Sequence, residues 1–225
     1  MSRVRRTRQE AQVAYDRLSR WYNLLAGASE EKYVHLGLEK LQAAPGERVL
    51  EIGFGTGKAL VALARSVGGE GFACGVDISW GMCQVAQRRL QEAGCAEHVQ
   101  LVCGDGVRLP WVDAAFDALF MSFTLELFDT PVIPAILGEC RRALRPGGRM
   151  VVVALQRSRK PSLSVRIYEW VHEQIPKYID CRPIYVQRLL EASDFHVVEI
   201  DELSMWTLPV AIVLAENKTE VHDVS

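Results

Sequence analysis

Val49-Leu50-Glu51-Ile52-Gly53-Phe54-Gly55-Thr56-Gly57 decides the reading of this chain. An apolar run of strand character passes straight into a loop with glycine at every second position. Ala59, Leu60, Ala62 and Leu63 follow at the spacing of a helix that packs back on a sheet. Glycine in such a loop accepts positive φ and lets main-chain N–H groups approach a ligand closely. The N-terminus of the helix behind it adds partial positive charge. The segment is expected to cradle a nucleotide or an anion.

Spacing narrows the ligand. The dinucleotide fingerprint G-x-G-x-x-G would put its last glycine where Lys58 stands, and Gly57 arrives one step early. A P-loop is excluded, because no G-K-[ST] follows a four-residue gap. Two further acids end predicted strands. Residues 72–76 lead into Asp77, about 20 residues past the loop, where an acid would meet ribose hydroxyls. Residues 99–103 lead into Gly104-Asp105-Gly106, where a carboxylate can accept from an exocyclic amine such as adenine's. Acids at successive strand C-termini match the edge at which open α/β sheets bind ligands.

At 225 residues the chain suits one domain with small embellishments. Its net charge of -2 provides no general field for nucleic acid, so no nucleic-acid partner is expected. Arg3, Arg5, Arg6 and Arg8 form a local basic run that leaves peripheral contact with an anionic lipid surface open. No stretch approaches 18 uninterrupted apolar residues, and the N-terminus lacks the apolar core of a secretory signal. Six cysteines are scattered without C-x-x-C or Cys/His finger spacing. They read as buried, reduced thiols of a cytoplasmic protein, and no metal site is expected.

Before Pro45 the chain reads as helical. Tyr15, Leu18, Trp21, Tyr22 and Leu25 form a stripe that Gly27 would end, and a second helix is predicted over 30–43. From Arg48 to about Leu155 strands and helices alternate, with helices near 57–67, 80–93 and 130–144, the last opened by Thr130-Pro131. Strands are predicted at 116–121 and 150–155, a helix at 183–192 and a closing hairpin from 195–203 and 208–215. The expected organisation is a helical cap over 1–44, a ligand-binding domain over 45–216 with a helical insert near 160–182, and a mobile tail over 217–225.

The pattern E-x-G-x-G-x-G resembles the signature of class I methyltransferases that use S-adenosylmethionine. So does the run of motifs that follows: GVDIS (75–79), GDGVRLPW (104–111), FDALFMSF (116–123) and LRPGGRMVV (144–152). Tyr15-Asp16, Trp21-Tyr22-Asn23 and the L-R-P-G-G turn resemble the branch of ubiquinone and menaquinone C-methyltransferases. The resemblance implies an α/β fold: a Rossmann-like, doubly wound sheet of seven strands, the last antiparallel, preceded by N-terminal helices. It implies S-adenosylmethionine as cofactor and S-adenosylhomocysteine as product. Carried over, Glu51, Gly53, Gly55, Thr56 and Gly57 would line the methionine and ribose end. Asp77 would take the ribose, Ile78 and Met82 the adenine face, and Asp105 and Gly106 the adenine edge. Ser122 would stand near the transferring methyl, with Tyr15 and Tyr22 as a lid.

One departure bears on the acceptor. The quinone enzymes carry S-F-G-L-R-N after the fourth strand, whereas this chain has Ser122-Phe123-Thr124-Leu125-Glu126-Leu127. Methyl transfer from a sulfonium needs alignment and exclusion of water, and a base only when the acceptor must lose a proton. Glu126 is the best-placed base, ahead of His172 and Tyr178. The expected reaction is metal-independent methylation of a small apolar or aromatic, quinone-like acceptor. Alternatives are a phospholipid-amine N-methyltransferase, a non-catalytic S-adenosylmethionine-binding protein and a Rossmann oxidoreductase. Acceptor specificity is expected from the leading helices and the aromatic segment 163–185, with Trp206 beyond it.

Overall fold

The computed structural model describes residues 27–157, 182–206 and 208–218. Tyr15, Tyr22, the basic run at 3–8 and the insert with His172 and Tyr178 lie outside the described residues. Among the described residues the elements run α1 (Gly27–Leu41), β1 (Arg48–Ile52), α2 (Lys58–Val67), β2 (Phe72–Asp77), α3 (Trp80–Glu92) and β3 (Val99–Cys103). Then come β4 (Phe116–Ser122), α4 (Ile133–Ala143), β5 (Leu144–Leu155), α5 (Val186–Glu191), β6 (Phe195–Met205) and β7 (Leu208–Asn217).

One sheet of seven strands joins them in the order β3-β2-β1-β4-β5-β7-β6. Strands β1 to β5 pair in parallel, and β7 runs antiparallel to both β5 and β6. Side chains alternate across a strand, so each strand feeds two cores. Leu50, Ile52, Leu119, Met121, Met150 and Val152 pack toward α4 and α5. Val49, Ala118, Phe120, Val151 and Val153 pack toward α1 and α2. Helices on both faces explain why the central strands are nearly all apolar.

Helix α1 lies close on the sheet because residue 37 is glycine: a Cβ there would meet Val153 Cγ2 at 2.6 Å and Phe120 Cε2 at 3.0 Å. Arg149 near the start of the regular part of β5 fixes the far end of α1, donating to Leu41 O at 2.6 Å and Gln42 O at 2.7 Å. Its remaining donors meet the Glu47 carboxylate, both at 2.8 Å. Helix α1 thus runs opposite to β4 and β5, with its N-terminus at their C-terminal ends.

Three expectations need correction. Helix α4 starts at Ile133 rather than at Thr130-Pro131. The carbonyl of Asp129 takes the Val132 and Ile133 N–H groups, and Pro134, not Pro131, occupies the first turn. The helix predicted over 30–43 begins by Gly27, so Gly27 is a helical residue and not a stop. Cys103 is exposed, because β3 is an edge strand, while Cys74, Cys83, Cys95 and Cys140 are buried as free thiols. No helix among the described residues is long and apolar enough to cross a membrane.

Candidate functional site

The chain leaves β1 toward β2 and β3, then returns to β4 and β5 on the other side. The C-terminal ends of β1 and β4 therefore flank a topological switch point, where open sheets form their ligand crevice. The glycine loop leaves β1 here with φ of 73° at Gly53, 51° at Gly55 and 77° at Gly57. A Cβ on Gly53 would collide with the Thr124 side chain at 2.4 Å, and one on Gly57 with Ala86 Cβ at 2.9 Å. Gly55 faces open space. The loop is held from below: Gly53 N–H donates to Val76 O at 2.7 Å, and Gly55 N–H to Asp77 Oδ2 at 2.8 Å. Asp77 Oδ1 also accepts from Ser79 N–H at 2.9 Å.

Sequence reasoning missed one clamp. Arg89 of α3 donates to both the carbonyl and the hydroxyl of Thr56, each at 2.6 Å. Thr56 therefore spends its hydroxyl on Arg89, and its part in the loop is structural as well as proximal. Helicity offers the signal in hindsight: Arg89 sits one turn before the C-cap of α3, where that helix reaches the loop.

Glu51 is 2% exposed, and its Oε2 has no hydrogen-bond partner. Burial, and then the negative charge of Asp77, push its carboxyl well above the ordinary range. An orphaned buried acceptor is costly, so the site is built for a donor it does not itself contain. Ser79 Oγ caps α3 by accepting from Met82 N–H at 3.2 Å, which places Met82, buried, and Ile78, half-buried, beside the Asp77 turn. At the next strand end Asp105 Oδ1 accepts from Val107 N–H at 3.1 Å. Gly106 is buried, and a Cβ there would stand 3.1 Å from Ile52 Cγ2.

At the end of β4 Ser122 is half-buried, and Phe123 just beyond it takes a φ of 47°. A buried aromatic residue in that region is strained, and such strain clusters at functional sites. Phe123 N–H holds Val153 O at 2.7 Å, and Thr124 Oγ1 donates to Ser122 O at 2.8 Å. Glu126 follows on a short 3₁₀ turn (Leu125–Leu127) and is fully buried. Its Oε1 accepts from Leu155 N–H at 3.1 Å, and its Oε2 has no partner. Burial pushes the carboxyl up to about 8, and the charge of Glu30 adds to the effect. Glu30 is itself pushed up to about 7 by burial. Arg182 donates to the backbone oxygens of Glu126 and Phe128.

The structure brings Glu51, the glycine loop, Asp77, Ile78, Met82, Asp105, Gly106, Ser122 and Glu126 to one edge of the sheet. Of the aromatic residues expected near the acceptor, Tyr185 lies under Arg157 and Arg188, with the guanidinium carbons 5.8 and 5.1 Å from its ring centre. Trp206 is 79% exposed at the β6–β7 turn, which the pairing of Leu155 with Val210 sets at the same edge of the sheet as the C-terminal end of β5. A surface hollow lined by Pro134, Gly138, Pro146 and Asn217 lies at the opposite edge of the sheet and takes no part in this site.

A doubly wound sheet with an acid and a triple-glycine loop at its switch point defines a Rossmann-like, nucleoside-binding protein of the methyltransferase type. Residues 49–148 match the family model described as a methyltransferase domain. The chain is 30% identical over 182 residues to a demethylmenaquinone methyltransferase of Corynebacterium kroppenstedtii, covering 78% of this chain and 74% of that one. This chain belongs to the S-adenosylmethionine-dependent methyltransferases. It is also 26% identical to the demethylmenaquinone methyltransferase of Lactobacillus johnsonii, covering 67% of this chain and 60% of that one. With the 2-phytyl-1,4-naphtoquinone methyltransferase of Synechococcus elongatus it shares 33% over 57% of its own length and 56% of the other. It thus spans less than two thirds of the length of these last two relatives. Among solved structures, the [4+2]-cyclase SpnF superposes with a TM-score of 0.76 at 20% identity, over 95% of this chain and 98% of that one. A methyltransferase from Aquifex aeolicus gives 0.62 at 22%, over 81% and 88%.

Proposed function

We propose that this chain transfers a methyl group from S-adenosylmethionine to a small acceptor bound above the ends of β4 and β5. The observation that carries the reading is the orphaned, buried Oε2 of Glu51 directly below a loop of three left-handed glycines. A cationic, donor-rich amino-acid end fits that position, and the glycines leave room for it. In this reading Gly53, Gly55, Thr56 and Gly57 hold the methionine and ribose end, and Asp77 meets the ribose hydroxyls. Ile78 and Met82 flank the adenine, Asp105 and Gly106 receive its edge, and Ser122 lies near the methyl.

The bound donor supplies an activated methyl group; the chain's residues orient it, exclude water and take up any acceptor proton. The names of the relatives support a ring-bearing apolar acceptor. Glu126 and Leu127 replace the Arg-Asn pair of the quinone branch, which argues for an acceptor different from a quinol. A second reading, a donor-binding protein without methyl transfer, draws on the [4+2]-cyclase among the structural neighbours. Calorimetry on ligand-stripped protein with S-adenosylmethionine and S-adenosylhomocysteine tests the donor. A labelled-methyl assay against extracted metabolites then separates the two readings. Absence of heat from either compound removes both.

A further inference from the structure

The pairing of β4 with β5 ends at Ser122 and Val153, but β5 runs on to Leu155. The place that β4 leaves is taken by Ile184, which bridges Gln156 in parallel. Ile184 N–H donates to Leu155 O at 3.0 Å, and its carbonyl accepts from Arg157 N–H at 2.9 Å. On the other side Gln156 N–H holds Pro209 O at 2.8 Å. Gln156 Oε1 accepts from Val186 N–H at 3.4 Å and so ties down the residue after Tyr185. Arg157 and Tyr185 are thereby fixed on an extension of the sheet beyond its ligand-binding edge. Even with fully extended chain from Val153, Arg157 stands at most about 14 Å past the level of Ser122.

The side chains there form a three-part stack. The guanidinium carbons of Arg157 and Arg188 lie 5.8 and 5.1 Å from the centre of the same Tyr185 ring. An aromatic face attracts a cation but neutralises no charge. Both arginines are exposed, so a ligand can reach them from water. Arg141, Arg142, Arg145 and Arg149 each meet a carboxylate. Among the described residues Arg157 and Arg188 meet none, and Glu191, the acid of α5, accepts instead from Gln187 Nε2 at 2.8 Å. Two like charges on one platform, without a counter-charge from the chain, favour an anion from outside.

We propose that Arg157, Tyr185 and Arg188 form a phosphoryl-binding site at the mouth of the acceptor crevice. Guanidinium forks match phosphate oxygens and hold them by charge-assisted hydrogen bonds, and two such groups balance the charge of a phosphate monoester dianion. A hydroxyl or a quinone oxygen would draw on neither charge. The role of the ligand rests on the methyl-transfer reading above: the acceptor is a phosphate ester, its phosphoryl end on the stack and its reacting atom at the end of β4. The offset of Arg157 from Ser122 sets the length it spans.

Calorimetric titration of the full-length protein with phenyl phosphate and with phenol, in the presence and absence of S-adenosylhomocysteine, tests the site. The phosphate is expected to bind at least about tenfold more tightly than phenol, and the double variant Arg157→Gln, Arg188→Gln to bring that ratio below about threefold. Arg65→Gln, which removes a charge from the last turn of α2, is expected to leave the ratio within about twofold. Tyr185→Phe keeps the platform and the preference, whereas Tyr185→Ala loses most of it. Sedimentation with phosphatidylcholine vesicles, with and without phosphatidic acid, separates a soluble ester from one carried in a lipid surface. Recognition of either phosphate-bearing probe supports the site when the double variant loses it. Wild-type protein that prefers neither probe over its counterpart overturns the proposal. So does a preference that survives in the double variant or falls equally in Arg65→Gln. Phosphate recognition in protein that binds no S-adenosylhomocysteine would leave the site standing and remove the methyl-transfer reading instead.

Discussion

Glu51 shows how much one oxygen can decide. Its Oε2 has no partner in a buried position, so the residue costs the ligand-free protein stability and gains a bond only when a donor arrives. Glu51→Gln is expected to weaken S-adenosylhomocysteine binding by about 10- to 100-fold, measured by calorimetry, with the unfolding midpoint kept or raised. Glu126 and Glu30 predict a pH dependence of the same origin. Their carboxyls are raised from 4.5 to about 8 and about 7 in the folded chain, so folding takes up protons between those values. Stability of the ligand-free protein should therefore be greatest near pH 5 and decline as the pH rises toward 8. Urea midpoints measured from pH 5 to 9 check this, and Glu126→Gln should flatten the slope. The acids at 51, 77 and 105 were legible in the sequence because each follows an apolar run at a strand end. Arg89 was not, since its partner stands 33 residues away and no local pattern links them.

At the scale of elements, α1 and α3 set the crevice. Gly37 lets α1 press on β4 and β5, so Gly37→Val must lift the helix away from Val153 and Phe120. A loss of about 1–3 kcal/mol in urea denaturation is expected. Arg89→Ala removes two bonds to Thr56 and should loosen the glycine loop, lowering donor affinity about tenfold while costing about 1 kcal/mol of stability. Periodicity made the core elements readable: strands buried on both faces and helices with a single apolar stripe leave strong patterns. The start of α4 was misjudged because Thr130-Pro131 has the composition of a helix opening. The backbone turn at Asp129 delays the helix by two residues. No composition rule would have revealed the positive φ of Phe123, which depends on Val153 O across the sheet.

For the whole molecule, a site assembled at the ends of β1, β2, β3 and β4 ties ligand binding to global folding. S-adenosylhomocysteine at 100 times its dissociation constant should add about 2.7 kcal/mol to unfolding, seen as a rise in the thermal midpoint that NAD does not reproduce. The packing order of the sheet also bears on how the chain is made. Strand β7 follows β6 in the sequence yet lies between β5 and β6. Asn217 at its end is buried, and its Nδ2 bonds the carbonyls of Arg141, Leu144 and Arg145. During synthesis on the ribosome, β5 and β6 therefore emerge with a gap between them and two unpaired edges facing it. Until residue 217 has cleared the exit tunnel, that gap is open to any other extended polypeptide in reach, and a stalled nascent chain would be the form most prone to clump.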